Sequence, residues 1–316
     1  MVPAFEPLVG QEQAIALLTA AIERQRVPPA YLFAGPDGIG RALAARCFIE
    51  ALFCAEQPAQ AAVIRQKLTQ GNHPDLLWVE PSYLVNGVAV PASEARRQGQ
   101  VRKTPPQIRL EQVREIGRFL ARPSLEAGRA VVVLEQAETM AEAAANGLLK
   151  TLEEPGAATL ILLAPGPEAL LPTLVSRCQR VPFQRLASEA MAEVLERSGY
   201  GEILQQPSVL SLAQGCPGAA IAHWNRLQSL DPGQLQSLLT LPTSLVEALR
   251  LAREIDKSLE LEDQVWLLDY WQQQLWQSGR VGAGGLKRLE ETRRQLLGFV
   301  QPRLVWETTL IGFLEG

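Results

Sequence analysis

Apolar residues along the first half of the chain follow two alternating patterns. Helical spacing predicts helices over Ala14–Arg24, Leu43–Cys54, Leu110–Leu120 and Glu142–Leu152, the last stopping ahead of Pro155. Between them lie short apolar runs at Ala30–Ala34 (AYLFA), Asp75–Val79, Ala130–Leu134 (AVVVL) and Thr159–Leu163 (TLILL). The last two have no polar alternation, which is the pattern of a strand buried on both faces. Strands alternating with helices predict an α/β fold with a parallel sheet and helices on both faces.

The pattern changes after Val181-Pro182-Phe183, and from Ser188 onward only helical spacing is found. Ser188–Gly199 and Ser208–Leu227 predict a small helical module around the turn Gly215-Cys216-Pro217-Gly218. Beyond Asp231-Pro232, helices are expected near Ser244–Leu259, Glu262–Gln277, Gly285–Phe299 and Pro302–Leu314. This gives three expected domains: α/β over 1–183, a helical module over 184–228 and a helical bundle over 229–316. Val85–Pro106 shows no apolar periodicity and carries Arg96, Arg97, Arg102 and Lys103, so it reads as a long, exposed, solvated loop.

Composition adds limits. A chain of 316 residues suits two or three domains, and 47% hydrophobic with 20% charged residues is a globular balance. The net charge of −4 excludes a surface coated in basic residues and leaves nucleic-acid contact to local patches. The cysteines at 47, 54, 178 and 216 have no paired spacing, which suggests reduced thiols in the cytoplasm. No basic stretch followed by an apolar run occurs in Met1–Glu12, and no apolar run approaches the roughly 18 residues of a membrane span. A cytoplasmic protein without a membrane partner is expected.

The run at Ala30–Ala34 leads into Gly35-Pro36-Asp37-Gly38-Ile39-Gly40-Arg41-Ala42 and then a helix. A phosphate-binding loop needs G-x-x-x-x-G-K-[ST] in this setting. Its glycines let backbone N–H groups converge on phosphate, its lysine neutralises the outer phosphates, and its hydroxyl holds Mg²⁺. Here Gly35, Gly38 and Gly40 are kept, but Arg41 and Ala42 end the motif. Ala42 cannot ligate Mg²⁺, and the planar guanidinium of Arg41 does not replace an ammonium. At the end of the Ala130–Leu134 strand, where an active ATPase carries Asp-Glu, the chain has Glu135-Gln136. Gln136 is a poor proton acceptor. After Thr159–Leu163, where a polar residue is expected near the γ-phosphate, stand Ala164-Pro165. The three losses point the same way: a nucleotide site without hydrolysis.

Farther along are Asn146-Gly147-Leu148-Leu149-Lys150-Thr151-Leu152-Glu153-Glu154-Pro155 and Leu171-Pro172-Thr173-Leu174-Val175-Ser176-Arg177-Cys178. With Val9-Gly10-Gln11, His73-Pro74-Asp75 and Gln301-Pro302-Arg303-Leu304, these residues resemble the bacterial clamp-loader branch of the AAA+ ATPases over nearly the whole chain. The resemblance implies a helical lid at 184–228 and an oligomerising collar at 229–316. It also implies a machine that opens a ring-shaped sliding clamp and places it on primed DNA. Its partners would be the gamma/tau and delta loader subunits, with the clamp and DNA met through the complex. Arg177, within its Ser176–Cys178 triplet, would reach across a subunit boundary to ATP held by a neighbouring gamma or tau subunit. No nucleotide on its own subunit is needed for that, so no cofactor is expected here and the chain is not expected to be an enzyme by itself.

The chain departs from the family in two places. Relatives often carry a four-cysteine zinc module after the loop helix, whereas here only Cys47 and Cys54 are present, so no metal is expected. ATP-binding relatives often have an arginine after the Gly-x-Pro-Gly turn, a position held here by Ala219. Trp266, Trp271, Trp276 and Trp306 fall in the last domain as core or partner-facing residues. The helix bearing Arg109, Arg114 and Arg118 is interleaved with Glu111 and Glu115, which reads as a solvated face. Two alternatives remain: a working ATPase using Arg41 and Glu135, and a DNA-binding protein using the basic loop.

Overall fold

The computed structural model describes residues 3–100, 104–154, 156–278, 283–298 and 300–314. The chain divides into two units, Met1–Val194 with Cys216–Gly218, and Leu195–Gly215 with Ala219–Gly316.

The first unit runs α1 (Glu12–Glu23), β1 (Ala30–Ala34), α2 (Arg41–Glu56), α3 (Ala61–Gln70), β2 (Leu76–Val79), β3 (Ser82–Val85), β4 (Val88–Pro91), α4 (Ala92–Arg97) and α5 (Leu110–Leu120). It continues through β5 (Ala130–Leu134), α6 (Glu142–Glu153), β6 (Ala158–Ala164), α7 (Pro172–Val175) and β7 (Gln179–Pro182) into α8 (Ser188–Arg197). Five strands form one sheet in the order β2-β5-β6-β1-β7, and every pairing is parallel. The central strands β1, β5 and β6 pair in register from Ala30↔Leu160 to Ala34↔Ala164 and from Ala130↔Ala158 to Leu134↔Leu162.

Both faces are covered, which is why these strands are continuously apolar. On one face Leu32, Val132, Leu134, Leu160 and Leu162 pack with Val113 and Ile116 of α5 and Leu148 and Leu152 of α6. On the other, the Tyr31 ring meets Phe48 of α2 edge-on at 5.3 Å, and Phe33 meets Phe183 at 5.4 Å. Full burial of such side chains contributes roughly 1.5–3 kcal/mol each.

The expected loop at Val85–Pro106 is instead partly ordered. β3 and β4 form an antiparallel hairpin through Asn86 and Gly87, both at positive φ, 52° and 83°. That is the backbone an Asn-Gly turn prefers, because it matches the twist of the paired strands. The hairpin leads into α4, and Tyr83, Ala92 and Ala95 make a small buried core. Backbone bonds between Ser82 and Gln107, 2.9 and 3.1 Å, tie the exit of the segment to its start. Arg96 and Arg97 are exposed on α4. Arg102 and Lys103 lie outside the described residues.

In the second unit, α9 (Pro207–Ala213) and α10 (Pro217–Ser229), whose first two residues belong to the first unit, precede α11 (Pro232–Leu239), α12 (Leu245–Ser258), α13 (Leu261–Ser278), α14 (Ala283–Leu297) and α15 (Pro302–Gly312). Trp266, Trp271 and Trp306 are core, and their indole N–H groups are satisfied by His223, the Leu239 carbonyl and Gln264. Trp276 is 65% exposed. No described helix is long and apolar enough to cross a membrane.

Both histidines accept a hydrogen bond at Nδ1, His73 from the Asp75 backbone N–H at 3.2 Å and His223 from Trp266 at 3.0 Å. Protonation would turn each acceptor into a donor. Burial, the leading cause, pushes both below the ordinary histidine range. The folded protein therefore binds fewer protons than the unfolded chain near these sites. Their stabilisation is complete above the unfolded histidine pKa of about 6.5 and is lost as pH falls through the depressed folded values. Melting temperature is expected to fall between pH 7 and 5, and His223→Gln should flatten part of that fall in a thermal scan.

Candidate functional site

β1 ends at the sheet's carboxyl edge, between β6 and β7. There the Gly35 N–H bonds the Ala164 carbonyl at 3.2 Å, and the Phe183 N–H bonds the Ala34 carbonyl at 2.7 Å. A Cβ on Gly35 would lie 2.7 Å from the Phe183 Cβ, so only glycine fits this exit. Gly38 and Gly40 take positive φ, 74° and 104°, and Gly40 caps α2. The glycines thus make the turn and helix start that cradle phosphate in active enzymes.

The side chains around this turn depart from that pattern. Arg41 is 8% exposed and turns back within its own loop to pair with the Asp37 carboxylate. Its Nη1 is buried without a protein partner. The Gly38 carbonyl accepts from the Gly218 N–H at 2.8 Å, and a Cβ on Gly218 would stand 2.8 Å from the Gly38 Cα. The three-residue stretch Cys216–Gly218 therefore lies directly on the loop backbone. Ala42 offers no side-chain oxygen, and Ala219, next after Gly218 in the sequence, carries no charge.

Glu135 is raised above the usual carboxylate range, first by burial. The Trp78 side chain opposes the shift by hydrogen bonding, and Arg41 has the smallest influence among the named neighbours. Arg46 stacks 4.3 Å over the Trp78 ring. Glu135 thus belongs to a cluster at the β2 edge. Gln136 is exposed at φ 49°, and its carbonyl receives the Thr139 N–H and hydroxyl at 2.8 and 2.7 Å, a turn-making role. Glu138, absent from the expected site, faces the loop. Burial raises its pKa, Asp37 adds to that and Arg41 opposes it, and its Oε2 is buried without a partner. Its position three residues past Glu135 was the available signal.

Arg177 sits apart from this set. Its Nη2 pairs with Glu153 Oε1 at 2.9 Å and its Nη1 donates to the Thr173 carbonyl at 3.0 Å. The Ser176 hydroxyl donates to the same carbonyl at 3.0 Å. Ser176 and Arg177 are exposed, while Cys178 is half-buried, with its thiol pushed up to about 11 by burial. Cys47 is likewise pushed up to about 11, chiefly by burial, so neither is a thiolate near neutrality. Among the described residues, no three His, Cys, Asp or Glu side chains come together as a metal site.

The His73-Pro74-Asp75 segment has a different role. The Asp75 carboxylate, 3% exposed, accepts three successive backbone N–H groups, from Leu125, Glu126 and Ala127, at 2.7, 2.7 and 2.6 Å. It anchors the approach to β5. Arg109, which caps the start of α5, and Arg114 within it are unlike: Arg114 pairs loosely with Glu111 at 3.9 Å, whereas the Arg109 Nε is buried without a partner.

A five-stranded parallel sheet with a glycine turn at the end of a central strand defines the class, a P-loop-type α/β protein. Residues 10–187 match the family model described as DNA polymerase III, delta subunit, and residues 189–313 match that of the cyanobacterial DNA polymerase III delta prime, C-terminal domain. The chain belongs to the DNA polymerase III delta-prime family. It is 32% identical over 189 residues to DNA polymerase III subunit delta' of Bacillus subtilis, and 35% identical over 195 residues to that of Pseudomonas aeruginosa. Those matches take in 58% and 60% of this chain, and the chain spans about half the length of these relatives, 51% and 53%. It is also 28% identical to the B. subtilis tau subunit, over 64% of this chain and 32% of that one. A solved gamma subunit-related protein of Thermotoga maritima aligns over 96% of this chain and 99% of its own, at 18% identity and a TM-score of 0.49.

Proposed function

We propose that this chain is a non-hydrolysing subunit of a bacterial DNA polymerase III clamp loader, supporting the assembly and supplying Arg177 in trans to ATP held by a neighbouring gamma/tau subunit. The observation that carries the reading is the phosphate loop. Its cation pairs through one nitrogen with Asp37, its Mg²⁺ hydroxyl is replaced by Ala42, and its Gly38 carbonyl is bound by Gly218. An arginine donor needs none of these groups, because the nucleotide it acts on is bound elsewhere. In this reading 1–183 is the AAA+ domain, 184–228 a lid and 229–316 a collar that contacts gamma/tau and delta subunits in the cytoplasm. The sliding clamp and primed DNA are met through the complex.

The test is a titration of the isolated protein with a fluorescent ATP analogue and Mg²⁺. No saturable binding is expected up to millimolar concentration. Tight Mg²⁺-dependent binding with turnover would replace this reading with that of a working ATPase.

A further inference from the structure

Arg177 is held on its own subunit by two acceptors fixed to rigid elements. Glu153 is the last residue of α6, whose Leu148 and Leu152 are buried in the sheet core. Thr173 lies in α7, anchored in the same core by Leu174 and Val175. The chain before Ser176-Arg177 is thus pinned by the buried Leu174 and Val175, while both of these side chains are exposed.

Both terminal guanidinium nitrogens are in use, Nη2 on Glu153 and Nη1 on the Thr173 carbonyl. Forked recognition of a phosphate needs two such N–H groups presented together. In this arrangement each terminal nitrogen already has one N–H paired within the subunit. The side chains are 38% and 54% exposed, so the ion pair is of the solvent-screened kind. Such a pair fixes a geometry but yields to a stronger anion.

We propose that Glu153 is a parking carboxylate. It holds Arg177 against its own subunit and gives it up to the more highly charged phosphates of a nucleotide on the neighbouring subunit. This rests on Arg177 acting in trans. Engagement then competes with parking. Removing the Glu153 charge favours the engaged arginine whenever nucleotide is present, in ground state and transition state alike. Such a change raises apparent affinity and leaves the maximal rate in place.

The experiment uses the complex reconstituted with gamma/tau and delta subunits, clamp and primed DNA, carrying Glu153→Gln, Glu153→Asp or Arg177→Ala. ATP hydrolysis is measured against ATP concentration. Glu153→Gln is expected to lower the half-saturating ATP concentration about two- to five-fold with kcat unchanged, the range for an exposed pair. Glu153→Asp, which keeps the charge, should fall between it and wild type. If Arg177→Ala abolishes hydrolysis while Glu153→Gln changes neither constant, parking is wrong and the trans role stands. If Glu153→Gln instead lowers kcat, Glu153 is a positioning residue that aims the arginine, and parking is again wrong. If Arg177→Ala has no effect, the trans role itself fails and parking with it. Unchanged melting temperatures of the isolated variants would exclude a folding defect.

Discussion

Asp75→Ala is expected to lower the free energy of unfolding of the α/β unit by about 3–5 kcal/mol, the range for stripping one partner from a buried charged network. The carboxylate accepts three backbone N–H groups at 2.6–2.7 Å, and removing it takes away the acceptor of all three. Each orphaned donor costs roughly 1–3 kcal/mol, reduced where the loop can open to water. The loop is also bound to neighbours through Glu126, which pairs with Lys67 and whose carbonyl receives the Gln57 side chain, so opening it forfeits those contacts as well. The Val131 N–H bonds the Asp75 carbonyl at 2.8 Å, so the same residue aligns the start of β5 against β2. Asp75→Asn keeps one acceptor oxygen and places an NH₂ among donors, so an intermediate loss is expected. Urea unfolding followed by circular dichroism measures both. A loss below about 1 kcal/mol for the alanine variant would mean that the three N–H groups are satisfied by water and that Asp75 is not an anchor.

How much of this was legible depended on whether the determining contacts were local. β1 and β5 coincide with the expected runs, and β6 extends the expected Thr159–Leu163 by one residue at each end, because strands buried on both faces have no polar positions. β7 was not legible. Gln179 and Arg180 are exposed at the sheet edge, and only Val181 is fully buried. The β3–β4 hairpin was missed because its strands are four residues long, too short for a period, although Asn86-Gly87 signalled the turn. In the candidate site, the glycine frame and the absent hydroxyl were plain in the sequence. The pairing of Arg41 with Asp37 was present as an i,i+4 spacing. The Gly218–Gly38 bond and the Asp75 anchor were not legible, since their partners lie about 180 and 50 residues away and only the folded chain brings them together. Three of the four late tryptophans proved to be core, while Trp276 is exposed at the end of α13, a difference that helical spacing alone did not settle.

Arg177→Ala, placed in a reconstituted loader, is expected to slow single-turnover ATP cleavage at the site facing this subunit by about 10³–10⁵-fold, the range for an arginine supplied in trans. The size follows from where charge develops. A guanidinium held against the transferring phosphoryl group in a site shielded from water stabilises negative charge without reorganising solvent. Arg177→Lys should recover only a small part of the rate, because an ammonium keeps the charge and loses the planar fork. Neither change should unfold the protein. Arg177 is exposed, its pair with Glu153 is screened by solvent, and the buried anchors Leu174 and Val175 are untouched. The isolated chain should show no turnover in either form, since its own loop pairs Arg41 with Asp37 and has Ala42 in place of a Mg²⁺ ligand. The comparison therefore separates two sources of hydrolysis. A rate within about threefold of wild type for the alanine variant would mean that the neighbouring site completes its own chemistry, and the exposed arginine would then be no more than a surface partner of Glu153.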